Sequence, residues 1–422
     1  MKKEKNGYSR REFIFKTVGG AASAAAAAGI IGKSGLKLDA QAAKIAQSPK
    51  GTGAAAQPVT RALGRTGIRV PIVSMGVMNA DNPALVKRSF EMGIRHFDTA
   101  AAYQKGRNEE MVGNVIKDLH ARDKVIIATK IVPGRSEIMD QMGDKLVAED
   151  FLSRLDQSLA RLQTDYVDIL YIHNISDPAV LKRPGLLDAL DRAKQSKKAR
   201  FVGFTTHQNM GECLEAAAPT GRFDVILTAV NYSMADDKAL FAAMKKAAAA
   251  GIGLVAMKTQ CRQAWSKESN LAGGEEYREG SVWQTALLKW ALRLESVTTA
   301  IPGYTTFQQL ESDWPVAFNL DFTPDENKFL ADPGVKLALG GVCRQCGSCA
   351  GTCPAGSDVP SLIRAHMYAA DYGNFFEMRR TLAELPAARG LQNCLDCREC
   401  KASCVRGVRI ARRLEELKAI FV

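Results

Sequence analysis

A chain of 422 residues is too long for one ordinary domain and suits two or three. Its 46% apolar and 24% charged residues are globular proportions, which excludes a disordered or fibrous protein. Of the net charge of +12, residues 1–42 carry +5, and the remaining +7 is mild for so long a chain. No basic run with interleaved aromatics follows, so a nucleic-acid partner is not expected.

Residues 1–42 read as an address. They hold eight Lys and Arg against three acids, with Ser9-Arg10-Arg11-Glu12-Phe13-Ile14-Phe15-Lys16 ahead of an Ala/Gly-rich stretch from Thr17 to Gly32 and the small-residue site Ala40-Gln41-Ala42. Paired arginines before a weakly apolar stretch resemble a twin-arginine export signal. The resemblance implies a partner in the twin-arginine translocase, an exported periplasmic protein, and cofactors inserted before export. The apolar run is below ~20 residues, so no transmembrane helix is expected in the mature chain. Residues 43–58, rich in Ala, Gly, Lys and Gln, read as a flexible linker.

From residue 59 to 335 the pattern is regular. Arg61 to Val70 carries a Gly-Arg-Thr-Gly turn between short extended runs, which predicts a hairpin. Eight short apolar runs follow: Ile72–Val77, Ile94–Phe97, Val125–Thr129, Val167–Ile172, Phe201–Phe204, Val225–Val230, Ile252–Met257 and Val297–Ile301. Helical periodicity separates them, as in Phe151-Leu152-Leu155-Leu159-Leu162 and Leu186-Leu187-Leu190. Near-continuous apolar runs suit parallel strands buried on both faces. Eight such units predict an α/β protein, a (β/α)8 barrel. A doubly wound sheet is disfavoured, because Met75-Gly76-Val77-Met78-Asn79 is no glycine-rich phosphate loop.

Barrel chemistry gathers at the carboxyl ends of the strands. The polar residues there are Asp98, Tyr103, Lys130 and His173. A phenol of pKa about 10 is a weak acid–base, and a nearby ammonium favours the phenolate. Asp98 can hold the lysine in place, and His173 can aim a carbonyl oxygen at the phenol. The set suits general acid catalysis during hydride transfer. In order, Phe97-Asp98-Thr99-Ala100-Ala101-Ala102-Tyr103, Ile127-Ala128-Thr129-Lys130 and Asp165 to His173 resemble the aldo-keto reductase superfamily, as does Ile301-Pro302-Gly303. The resemblance implies a barrel binding a nicotinamide dinucleotide, with Asp98, Tyr103, Lys130 and His173 as catalytic tetrad.

It also implies cofactor contacts at Thr205, Thr206, Lys258, Pro302, Gly303, Thr306 and Gln309. Here the chain departs from the pattern. Thr205-Thr206 replaces a Ser-Asn pair, Leu227 stands where a glutamine is expected, and no aromatic follows Val255-Ala256-Met257. Gly303 and Gln309 replace the cations that meet a 2′-phosphate, which argues against an NADP preference. NAD(H) and NADP(H) both stay open. Lys258 is a spare cation, expected in solvent or paired with Asp236 or Asp237.

Of ten cysteines, eight lie within 343–404, as Cys343-x2-Cys346-x2-Cys349-x3-Cys353-Pro354 and Cys394-x2-Cys397-x2-Cys400-x3-Cys404. Both runs resemble bacterial ferredoxins, in which the fourth cysteine ligates the other cluster. The resemblance implies two 4Fe-4S clusters, one held by Cys343, Cys346, Cys349 and Cys404, the other by Cys394, Cys397, Cys400 and Cys353. Zinc would require only paired C-x2-C knuckles. Between the runs, Val359, Leu362, Ile363, His366, Met367 and Ala370 recur at helical spacing, as do Met378, Leu382 and Leu385. Residues 336–422 are therefore expected as a small, mostly helical ferredoxin-like domain. His366 is expected on a helix face, and Arg406, Arg409, Arg412 and Arg413 on a solvated face open to an acidic redox partner. Cys213 and Cys261 are expected buried and inert.

The parts together predict an exported oxidoreductase that interconverts an alcohol or sugar and its carbonyl, with clusters relaying electrons to or from a partner. Two alternatives stand. One is an electron-transfer iron–sulfur subunit on a catalytically degenerate barrel. The other is an ordinary carbonyl reductase with structural clusters.

Overall fold

A computed structural model describes residues 57–134, 136–261, 282–395 and 397–421. The expected export signal, residues 1–42, and most of the linker lie outside the described residues. The chain opens with the predicted hairpin, β1 (Thr60–Ala62) antiparallel to β2 (Arg69–Pro71). Eight parallel strands follow: β3 (Met75–Gly76), β4 (His96–Asp98), β5 (Ile126–Ile131), β6 (Val167–Ile172), β7 (Ala199–Thr206), β8 (Val225–Ala229), β9 (Gly253–Met257) and β10 (Thr299–Ala300). Each pairs with its sequence neighbour, and bridges from Val73 to Ala300 and from Gly76 to Gly303 join first strand to last. The sheet thus closes into the expected barrel. β3, β4 and β10 are shorter than their apolar runs, because only the paired residues count as strand.

Helices α1 (Pro83–Met92), α2 (Arg107–Asp118), α3 (Ser136–Met142), α4 (Asp144–Leu162), α5 (Pro184–Gln195), α6 (Met210–Ala217), α7 (Lys238–Ala249), α8 (Val282–Leu292) and α9 (Phe307–Asp313) belong to the barrel's outer layer. Along α4, Phe151, Leu155, Leu159 and Leu162 are buried, the stripe that a 3.6-residue period requires. Strand alternation divides the apolar side chains between two cores. Ile126, Ala128, Ile169, Tyr171, Val225, Leu227 and Val255 fill the barrel interior, with Leu63, Ile68 and Val70 of the hairpin. The opposite faces join the helices in the larger core.

After α10 (Pro324–Ala331), α11 (Pro333–Gly340) crosses the boundary expected at 335/336. Val335, Leu339 and Val342 pack with Trp283, Leu287 and Leu330, so this helix belongs to the barrel side. The cysteine-rich region then holds α12 (Val359–His366), α13 (Phe375–Ala383), α14 (Gln392–Leu395) and α15 (Ile410–Phe421). Val359, Leu362, Ile363, Met367, Met378 and Leu414 form its core. Ala370 falls off the expected face and is exposed, because Met367–Asp371 is a wide π-type turn that shifts the register. Asp358 caps α12 and Asn374 caps α13, each accepting from a backbone N–H of the first turn. No helix among the described residues is long and apolar enough to cross a membrane.

Candidate active site

The four tetrad residues meet at the carboxyl-terminal mouth. Asp98 ends β4 and pairs in register with Ala128 of β5, which sets Lys130 one inward step further along. Lys130 Nζ donates to Asp98 Oδ1 at 2.5 Å, to the Thr99 carbonyl at 2.6 Å and to Tyr103 Oη at 3.3 Å. His173 follows β6, its ring edge-on to Tyr103 with centroids 5.9 Å apart. All four are buried.

Burial raises the Asp98 carboxyl against the pull of Lys130, and it lowers the Lys130 ammonium against that of Asp98. The Tyr103 phenol is held well above 10, by burial first and by Asp98 second. Sequence reasoning expected the lysine to draw the phenol down. The reversal has a plain cause: burial disfavours the charged phenolate, and the nearby Asp98 carboxylate adds to that effect. His173 is pushed well below 6.5 by burial, then by Lys130, Arg380 and Arg364, and is neutral at pH 7. It can donate or accept a hydrogen bond without adding charge.

The tetrad lines a cleft that is open at its mouth. Three of its wall residues come from the cysteine-rich region: Tyr368, Tyr372 and Arg380. Asn374 pins this cap by donating to Asn79 Oδ1 at 2.8 Å, and α13 packs on the turn bearing Tyr103. Arg344 pairs with Asp236 at 2.5 Å, and Arg364 donates to Gln208 Oε1 at 3.4 Å. Loops after β3, β4, β7 and β8 are thus all bridged by the cap. Arg380 itself is bound by Glu377 and Glu384. Sequence reasoning missed these wall residues and His207, another buried histidine in the cleft.

The expected dinucleotide contacts divide. Thr205, Lys258, Pro302 and Gly303 line the cleft, as does Leu227. Thr206 does not: strand alternation turns it outward, where its hydroxyl donates to the Gln208 carbonyl. Thr306 caps α9, accepting from Gln309 N, and the Gln309 side chain accepts from Thr305. Both lie outside the cleft lining. Lys258 pairs with neither expected aspartate, because Asp236 is engaged by Arg344 and Arg406 and Asp237 caps α7. Instead Lys258 Nζ donates to Gln345 Oε1 at 3.2 Å, and burial pulls its ammonium down to about 7.

Cys343, Cys346, Cys349 and Cys404 line one partly open pocket. Cys394 feels the charges of Cys353 and Cys400, and Cys397 is exposed. The fourth cysteine of each run is therefore on the side of the other run. No three His, Cys, Asp or Glu among the described residues close round a single ion. Tetrahedral zinc at ~2.3 Å would draw its sulfurs within about 4 Å of one another. Four thiols around an open cavity fit a cluster instead.

His366 is no ligand; its Nε2 meets Glu416 Oε2 at 2.7 Å and ties α12 to α15. The expected solvated arginine face is partly engaged: Arg413 donates to the Gly341 carbonyl, Arg406 meets Asp236 and Arg412 meets Glu416. Arg406 and Arg409 precede the final helix, which begins at Ile410. Cys213 and Cys261 are buried, their thiols pushed up to about 11 and 12 by burial.

Residues 74–273 match the aldo/keto reductase family, and residues 342–409 match a 4Fe-4S dicluster domain. The chain is similar to L-galactose dehydrogenase of Arabidopsis thaliana, 34% identical over 211 residues, 46% of this chain and 63% of that protein. It spans less than two thirds of that relative. It is also similar to L-glyceraldehyde 3-phosphate reductase of Escherichia coli O157:H7, 27% identical over 322 residues, 63% of this chain and 89% of that protein. Among solved structures, the holo form of an aldo-keto reductase from Bacillus halodurans superposes with a TM-score of 0.50 at 20% identity, over 65% of this chain and 95% of that one.

Proposed function

We propose that this oxidoreductase, an aldo/keto reductase domain joined to a 4Fe-4S dicluster domain, interconverts an alcohol or sugar and its carbonyl by nicotinamide hydride transfer, with two clusters relaying electrons to or from a redox partner. The shared cleft carries this reading: tetrad and cluster-domain side chains wall the same space. The activities for which the relatives are named, L-galactose dehydrogenase and L-glyceraldehyde 3-phosphate reductase, support a small hydroxylated aldehyde or sugar as substrate. Export through the twin-arginine translocase to the periplasm, on residues 1–42, belongs to the same reading.

NAD(H) or NADP(H), held at Thr205, Lys258, Pro302 and Gly303, would supply or take the hydride. The eight cysteines would hold the clusters that pass single electrons. The chain's own work is proton transfer. In reduction, Tyr103, protonated at neutral pH, gives its proton to the carbonyl oxygen as carbon is reduced. Lys130, fixed by Asp98, stabilises the phenolate left behind. His173, neutral, hydrogen-bonds the same oxygen and holds it toward Tyr103. Such acid catalysis contributes about 10²–10⁴-fold. In oxidation Tyr103 must first be deprotonated.

Thr206 turned out of the cleft, with Thr306 and Gln309 engaged in capping, favours a second reading: an electron-transfer subunit on a catalytically degenerate barrel. One experiment separates the two. Protein purified without oxygen is denatured, its supernatant chromatographed for dinucleotide and its iron quantified. Near-stoichiometric NAD or NADP with about eight irons supports the hydride reading. Full iron with no nucleotide, and no binding on titration, supports the second.

A further inference from the structure

Two cations stand between the cleft and the cavity of Cys343, Cys346, Cys349 and Cys404. Arg364, on α12, is only 8% exposed and lines that cavity. Its guanidinium meets neutral oxygens, Gln208 Oε1 at 3.4 Å and Ser361 Oγ at 3.3 Å. Lys258, just after β9, lines the cleft and donates to Gln345, one of the two residues between Cys343 and Cys346. Neither cation has a carboxylate within ion-pair distance among the described residues. The nearby acids are engaged elsewhere, Asp236 by Arg344 and Arg406, Glu377 and Glu384 by Arg380.

A buried cation without a counter-charge is costly, so the site calls for an anion. A 4Fe-4S cluster on four thiolates carries net negative charge, and each electron it accepts adds to that charge. Fixed positive charge beside it therefore favours reduction, one of the ways a protein sets cluster potential. The second cysteine set differs. Its neighbours Lys401 and Lys418 pair with Glu399 and Glu415, and Cys397 is open to solvent.

Building on the assignment of these cysteines as cluster ligands, we propose that Arg364 and Lys258 are the counter-charges of the cluster at Cys343, Cys346, Cys349 and Cys404. They hold its potential above that of the cluster at Cys353, Cys394, Cys397 and Cys400. The cluster nearer the cleft is thus the preferred seat for an electron. Toward this cluster the two side chains are positioning residues, acting through charge and not as ligands.

The test is a redox titration of the anaerobic full-length holoprotein, followed by electron paramagnetic resonance, for wild type, Arg364→Gln, Lys258→Gln and Arg364→Lys. Cys346→Ser identifies the signal of the nearer cluster. In Arg364→Gln and Lys258→Gln that signal alone moves to lower potential, its reduced-to-oxidised ratio at fixed potential falling about tenfold, which is about 59 mV for one electron. Arg364→Lys keeps the wild-type value. If Arg364→Gln fails to retain iron, Lys258→Gln carries the test, since its side chain reaches the cavity only through Gln345. Two signals with full iron and unshifted potentials overturn the proposal alone, as does an equal shift of both. Unshifted potentials with loss of glyceraldehyde 3-phosphate binding in the Gln variants assign the cations to an anionic substrate instead. A wild type without cluster signals overturns the ligand assignment, and this proposal with it.

Discussion

Replacing Lys130 by Met strips Asp98 of its hydrogen-bond donor. The pair sits 2.5 Å apart with side chains 1% and 2% exposed, and Asp98 Oδ2 has no hydrogen-bond partner among the described residues even in the wild type. Removing one member of a buried pair costs about 3–5 kcal/mol, a large part of a typical total of about 5–15 kcal/mol. The stranded carboxylate can escape by binding a proton. Its folded pKa is already raised by burial, and loss of the ammonium raises it further. A group whose pKa is higher folded than unfolded contributes stability below the unfolded value, about 3.9 for Asp. That stability is lost as pH climbs through the folded value, at about 1.36 kcal/mol per unit. Lys130→Met should therefore melt close to wild type near pH 5 and on the order of 10 °C lower near pH 8. Adding Asp98→Asn should recover most of the loss while leaving the protein inactive. Melting temperatures of anaerobic protein across that range give the answer. A deficit that is equal at both pH values, or a double variant no better than the single, refutes the reasoning.

Tyr103→Phe should cut turnover about 10²–10⁴-fold while iron content and visible absorbance stay at wild-type levels, and unchanged turnover would sink the tetrad assignment. Because His173 and His207 are both held well below 6.5, carbonyl reduction should show no inflection near that pH. Alcohol oxidation should climb through the alkaline range instead, because Tyr103 is raised and must lose its proton first; a bell centred near neutrality would contradict both directions. Cys404→Ser should abolish the same resonance signal as Cys346→Ser, and Cys353→Ser the same one as Cys394→Ser; the reverse grouping would overturn the crossed ligand sets. Gly347→Ala should lower iron retention, since φ is +76° and a Cβ would meet Asn209 Oδ1 at 2.3 Å, and full iron at wild-type melting temperature would show that the loop yields.

The barrel was legible because parallel strands buried on both faces read as apolar runs, and the tetrad because barrel chemistry sits where those runs stop. The cysteines were legible because cluster ligation imposes a local spacing. What the sequence hid was docking. Tyr368, Tyr372 and Arg380 follow Tyr103 by more than 260 residues, in helices whose periodicity reports only their own core. Nothing in that periodicity says which outward side chain will meet a barrel mouth. Thr206 shows the same limit on a smaller scale. Its neighbour Thr205 faces the cleft, and a single step along a strand reverses the side. Lys258 could not be paired from sequence either, because its partner Gln345 is an ordinary polar residue inside a cysteine run.

The cap that Asn374, Arg344 and Arg364 fasten to the barrel also ties two occupancies together. Clusters bound by the cysteines would hold their loops in shape, and Tyr368, Tyr372 and Arg380 from the same region wall the cleft. By mass action, a ligand that touches the cap would stabilise its iron-loaded form, and iron would in turn strengthen the ligand's binding. Air that destroys the clusters would then release the cleft's contents, so that leakage of a bound small molecule reads out oxidative damage even when that molecule has no redox chemistry of its own.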